Sequence, residues 1–92
     1  MRRRAKIDLN HAEIVAALRK TGHLVESLAS QGGGLPDLLV FKHSSGLRLI
    51  EVKGTKGTLT PDQVKFQALG WPVQVARTPE EAIQCGITRS GK

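Results

Sequence analysis

The sequence predicts an α/β fold: a small mixed β-sheet flanked by helices, in the order α-β-β-β-α-β-α. Two apolar runs, Leu38-Leu39-Val40-Phe41 and Leu47 to Lys53, are separated only by the polar connection Lys42-His43-Ser44-Ser45-Gly46, which reads as an antiparallel hairpin. Two helix-opening signatures follow, Thr60-Pro61-Asp62-Gln63 and Thr78-Pro79-Glu80-Glu81, and between them Trp71, Val73 and Val75 alternate as a strand. Crossing from Lys53 through a helix to Trp71 makes that last strand parallel to its neighbour, by a right-handed connection. At 92 residues the chain has room for one domain, 1–92, and with 3% aromatic residues its core is aliphatic and thin.

Taken in order, Arg2, Arg3, Arg4 and Lys6 form a basic arm over 1–7, suited to lying along a phosphate backbone. Asn10 and Glu13 have the spacing of a capping box, and Ile14, Val15, Ala17 and Leu18 give a helical stripe that stops at Thr21-Gly22. Leu24, Val25, Leu28 and Ala29 suggest the first strand. Gln31-Gly32-Gly33-Gly34 is either a flexible turn or a place where missing side chains let a phosphate backbone approach closely. No Walker-type lysine and hydroxyl residue follow, so it is not a nucleotide-binding P-loop. Pro36 suits the start of the second strand. The second helix runs from Thr60 through Val64, Phe66, Ala68 and Leu69 to Gly70, and Pro72 sends the strand after it to a sheet edge. The third helix carries Ala82, Ile83 and Cys85, before a polar tail over 86–92.

Fourteen Lys and Arg against eight Asp and Glu give a net charge of +6. A basic surface of this kind attracts polyanions, with nucleic acid the expected partner and a merely soluble basic protein the alternative. No apolar run approaches the length of a membrane span, and Met1-Arg2-Arg3-Arg4 leads into a polar segment, so the expected setting is cytoplasmic with no membrane partner. Cys85 is the only cysteine, which excludes an internal disulfide and makes it a semi-buried helix residue. A domain this small gains stability by association, so a homodimer is expected.

The chemistry concentrates at Asp37, Glu51 and Lys53. Alternate residues of a strand share a face, so Glu51 and Lys53 point together while Val52 turns into the core. The hairpin brings Asp37 beside Glu51 at one end. Two carboxylates and an amine so spaced are ordinarily a solvated face. Here their flanks read as strands buried on both faces, where ionised groups are costly unless paired or bound to a metal. That combination suits a metal-dependent phosphodiesterase, with Lys56 in the loop Gly54-Thr55-Lys56-Gly57-Thr58 as a further cation nearby.

The ordered set of a glycine-rich stretch, Leu35-Pro36-Asp37-Leu38-Leu39-Val40, Ile50-Glu51-Val52-Lys53-Gly54 and Leu59-Thr60-Pro61-Asp62-Gln63 resembles the PD-(D/E)xK nuclease superfamily. More narrowly it is similar to the VRR-NUC (virus-type replication-repair nuclease) family in a stand-alone minimal form. The resemblance implies a restriction-endonuclease-like core in which Asp37, Glu51 and the Val52 carbonyl hold Mg²⁺ or Mn²⁺. It implies that Lys53 orients the attacking water or offsets charge on the phosphate. Glu13 matches a helix glutamate that completes the metal shell, a role its capping position competes with. Gln63 matches a catalytic glutamine, though a capping box would place one there too; Gln67 is the alternative. Stand-alone members belong to phages and bacteria and resemble Holliday-junction resolvases, which act as dimers, so branched DNA is the implied substrate. An inactive nucleic-acid-binding module, a nuclease preferring flaps or duplex, and a structural partner in a replication complex are the competing readings.

Overall fold

The computed structural model describes residues 10–87, with side chains as far as Gln84. It contains α1 (His11–Lys20), β1 (Leu24–Ser27), β2 (Leu38–Lys42), β3 (Gly46–Val52), α2 (Pro61–Ala68), β4 (Val73–Ala76) and α3 (Pro79–Ile87), the expected order. The basic arm at 1–7, the end of the tail and the burial of Cys85 lie outside the described residues. The strands lie in the order β1-β2-β3-β4. The first three pair antiparallel, and β3 and β4 pair parallel across the α2 connection.

The hairpin closes as its sequence implies, with Lys42 opposite Gly46. Gly46 takes a φ of 81°, a left-handed conformation that glycine adopts without strain at the end of a short hairpin loop. Strand alternation sends Val25, Leu38, Val40, Ile50, Val52 and Ala76 to one face, where they form the core with Ile14 and Leu18 of α1 and Ala82 of α3. Helices α1 and α3 also pack against each other over this face.

The other face corrects the expectation that the strands are buried on both sides. Leu24 is 70% and Leu47 62% exposed, and both line an open groove of about 510 Å³ with Phe41, Leu39, Arg19 and His23. Both connecting helices that the core needs have gone to the same side, so nothing among the described residues covers this end of the sheet.

Several local expectations also shift. Strand β1 ends at Ser27: the Leu28 amide still meets the in-register Asp37 carbonyl at 2.6 Å, but the Leu28 carbonyl accepts the Gln31 amide at 3.0 Å in a turn that takes Ala29 out of the ladder. Strand β4 begins at Val73, since Trp71 stacks on Phe66, with ring centres 5.5 Å apart and planes 8° from parallel. Helix α2 buries no residue fully, and Val64 and Leu69, expected as apolar contacts, are exposed. Helix α3 continues through Gly86 to Ile87. Asn10 precedes α1 without capping it through its side chain, so no capping box forms with Glu13. The Asn10 amide is used elsewhere.

The glycine stretch is held in place by α2. Gly32, Gly33 and Gly34 all have positive φ, and a Cβ on Gly34 would run into the carbonyl of Asp62 in the first turn of α2, whereas one on Gly33 would meet nothing. Gly34 is therefore required both by its backbone angle and by the close approach, which seats the loop ahead of Asp37 against the helix that carries Gln63. Gly34→Ala is expected to destabilise the fold by about 2–4 kcal/mol, from left-handed strain plus overpacking. Gly33→Ala bears the backbone strain alone and costs about 1 kcal/mol. Equal losses for the two variants in chemical denaturation would contradict this packing.

Candidate active site

Asp37 stands one residue before β2, opposite the end of β3. Its backbone carbonyl takes the Leu28 amide, and its Oδ2 accepts the Val52 N–H at 2.9 Å. In the register that pairs Leu38 with Ile50, the β2 side of Val52 has no further ladder partner, so the carboxylate caps the strand. This bond fixes Asp37 against β3.

Glu51 is the unusual residue. It sits on an inner strand, between β2 and β4, and is only 2% exposed. Its Oε2 accepts from Gln63 Nε2 at 2.8 Å and lies 3.6 Å from Lys53 Nζ. Burial pushes its carboxyl up to about 7, the charge of Asp37 and a hydrogen bond with Asp37 push the same way, and Lys53 pulls only part of the shift back. The ammonium does not neutralise two acids.

Gln63 caps its helix and also reaches Glu51. Its Oε1 accepts the Thr60 N–H at 2.8 Å and its own N–H is accepted by Thr60 Oγ1 at 3.2 Å, which completes the capping box of α2. Because the cap consumes the amide oxygen, the amide nitrogen is the end that faces Glu51. The helix cap thereby aims a donor at the buried carboxylate.

Glu13 is exposed in the first turn of α1, and among the described residues no three His, Cys, Asp or Glu side chains gather as a metal shell. The expected cluster of three acids is thus a pair, Asp37 and Glu51. Val52 buries its side chain in the core and gives its amide to Asp37. Gln67 is half-buried one turn beyond Gln63. Lys56 is exposed in the loop after β3, and Gly32 and Gly33 are exposed ahead of Asp37. Arg2, Arg3, Arg4 and Lys6 lie outside the described residues. Sequence reasoning missed Arg77 altogether and misassigned Asn10, whose Nδ2 reaches the carbonyls of Lys53 and Arg77. Neither has a motif signature, since the side chains of both donate to backbone carbonyls, which any residue presents.

The pair fits a hard divalent cation. Two adjoining carboxylates, one of them forced toward neutrality by burial and a like-charged neighbour, are relieved by positive charge placed between them. Their oxygens are the donors that Mg²⁺ or Mn²⁺ prefers, and Mg²⁺ typically binds one or two carboxylates and completes its shell with water and substrate phosphate.

The family model described as VRR-NUC domain matches residues 5–78, a span that holds Asp37, Glu51, Lys53 and Gln63. No curated protein matches the chain. With most of its length matched, and the carboxylate pair, the lysine and the capping glutamine assembled inside that length, the chain belongs to the VRR-NUC family of nuclease domains.

Proposed function

We propose that this protein is an endonuclease that hydrolyses phosphodiester bonds of DNA with Mg²⁺ or Mn²⁺, selects branched structures such as four-way junctions, and acts as a homodimer. The observation that carries the reading is the buried Glu51 carboxylate, held between Asp37, Lys53 and Gln63 and kept short of full charge compensation. A module that only binds nucleic acid gains nothing from burying one acid beside a second where a polyanion must approach. The net charge of +6 supplies the attraction that brings the backbone in despite them.

Asp37 and Glu51 would hold the cation, with the Val52 carbonyl as a third oxygen, and Glu13 is a ligand only if it acts from outside this cluster. Once bound, the cation would polarise the scissile phosphate and offset charge on the leaving oxygen. Lys53 offers N–H groups beside Glu51, where they would orient the attacking water or meet the charge that develops on the phosphate. Gln63 fixes the Glu51 carboxylate, so that its free lone pairs keep one direction. Gly32 and Gly33, exposed and without side chains, leave room for the backbone near Asp37, and Lys56, exposed in the loop after β3, adds a cation. Arg2, Arg3, Arg4 and Lys6 would extend the contact along the duplex.

The homodimer reading is supported by the open sheet face. Leu24, Phe41 and Leu47 form an apolar floor that a second copy of the same chain can cover, and paired sites suit a two-fold substrate. No helix among the described residues is long and apolar enough to cross a membrane. The nuclease reading goes with a cytoplasmic setting, in a bacterium or a phage-infected host.

Labelled four-way junction, flap and linear duplex DNA, incubated with Mg²⁺, Mn²⁺ or chelator, test the activity. Junctions are expected to be cut fastest, chelator to stop the reaction, and Lys53→Ala and Glu51→Gln to lose at least about 100-fold in rate. Cleavage in chelator, or full activity in either variant, would refute the mechanism, and equal rates on all three DNAs would remove the junction preference. In sedimentation, the wild type is expected at the mass of two chains and Leu47→Glu at the mass of one. A monomeric wild type at cleavage concentrations would remove the dimer.

A further inference from the structure

The loop that follows Lys53 is gripped from below by two residues that lie far from it in sequence. Asn10 Nδ2 donates to the Lys53 carbonyl at 3.1 Å and to the Arg77 carbonyl at 2.7 Å. Arg77 Nη1 in turn donates to the Gly54 carbonyl at 2.6 Å and the Gly57 carbonyl at 2.8 Å. The Lys53 amide is also taken, by the Ala76 carbonyl at 3.1 Å. Both backbone polar groups of Lys53 are therefore fixed, one to β4 and one to the start of α1.

We infer that Asn10 and Arg77 are positioning residues that set where the Lys53 ammonium stands relative to Glu51. The route from the grip to the ammonium is short. Gly57 folds back beside Lys53: a Cβ there would lie in van der Waals contact with its Cδ at 3.4 Å and Cβ at 3.5 Å, so the loop runs along the lysine stem. Arg77 holds that loop by the Gly57 carbonyl, and the turn is closed by the Gly57 amide donating to the Gly54 carbonyl at 3.1 Å. The segment Gly54-Thr55-Lys56-Gly57 contains no apolar side chain that would anchor it otherwise.

The residue types suit the task. Two carbonyl acceptors converging on one atom require an NH₂ group, which Asn supplies without charge, whereas Asp would set acceptor against acceptor. Two further carbonyls spaced along a turn are met by the guanidinium of Arg77, whose several N–H groups a lysine ammonium does not reproduce in one plane. This also explains why Asn10 leaves the end of α1 uncapped by its side chain.

The inference rests on the nuclease reading and is tested by a double-mutant cycle. Asn10→Ala and Arg77→Ala are compared with wild type by single-turnover cleavage at saturating DNA, by DNA affinity and by amide hydrogen exchange. Each is then combined with Lys53→Ala. Asn10→Ala is expected to keep DNA affinity within about twofold, and to lose about 10- to 100-fold in cleavage rate by displacing one catalytic group. In the Lys53→Ala background the same change is expected to cost less than about twofold, because the group it positions is gone. An equal loss in both backgrounds, or no loss in either, would overturn the assignment. Arg77→Lys, which keeps the charge, is expected to fall between wild type and Arg77→Ala and serves if the alanine variants do not fold. If wild type does not cleave DNA, the nuclease reading fails, and the clasp is judged by exchange alone. Faster exchange of the Gly57 amide in Asn10→Ala, with β2 and β3 unchanged, supports it; unchanged Gly57 protection overturns it.

Discussion

The structure turns on one costly placement: a glutamate carboxylate at 2% exposure on an inner strand, beside a second carboxylate. Holding Glu51 ionised there opposes folding by an amount on the order of a few kcal/mol, a large part of what a small domain has to spare. The neighbouring groups reduce that cost without removing it. Val52 gives its amide to Asp37, Gln63 gives its side-chain N–H to Glu51, and Lys53 stands at 3.6 Å. A fold optimised for stability alone would place an aliphatic residue at this position.

The topology makes this placement possible. The parallel β3–α2–β4 connection carries the chain across the sheet, so that the N-terminus of α2 returns to the end of β3 where Glu51 lies. There the cap of α2 and the support of Glu51 are one side chain, Gln63, with its oxygen on Thr60 and its nitrogen on the carboxylate. Gly34 lets the loop before Asp37 press against the same helix turn. On the other side of β3, Asn10 and Arg77 hold the loop that lines Lys53. Three segments from distant parts of the chain therefore meet around four side chains, and helices α1 and α3 supply the core beneath without covering the opposite sheet face.

Much of this was legible in the residues. The apolar runs Leu38-Leu39-Val40-Phe41 and Leu47 to Lys53, joined by a short polar connection, identify the hairpin, and that hairpin alone joins Asp37 to Glu51. The Thr60–Gln63 spacing specifies a capping box, which the structure contains. What was not legible depended on long-range backbone contacts or on which face the helices choose. Asn10 before a helical stripe reads as a cap, yet two distant carbonyls offer its amide better partners. Glu13 has the right residue type but lies exposed on α1 and forms no three-acid cluster among the described residues, because helix position rather than composition decides which acids meet. Leu47 reads as core by its apolar run and is exposed because α1 and α3 both pack on the other face.

The chemistry of the site depends on Glu51 being a carboxylate that burial and Asp37 disfavour and that a cation relieves, and a carbon-detected NMR titration of the Glu51 side chain measures this directly. Without a divalent cation, the carboxyl is expected to titrate near 7. A group whose folded pKa is raised carries its proton favourably below that value and weakens the fold as pH rises through it, so the strain is greatest at neutral pH and above. Adding Mg²⁺ should move the titration down toward or below the ordinary glutamate range of about 4.3, with the shift lost in Asp37→Asn. An ordinary Glu51 titration in the cation-free protein, or one that Mg²⁺ leaves unmoved, would contradict the account.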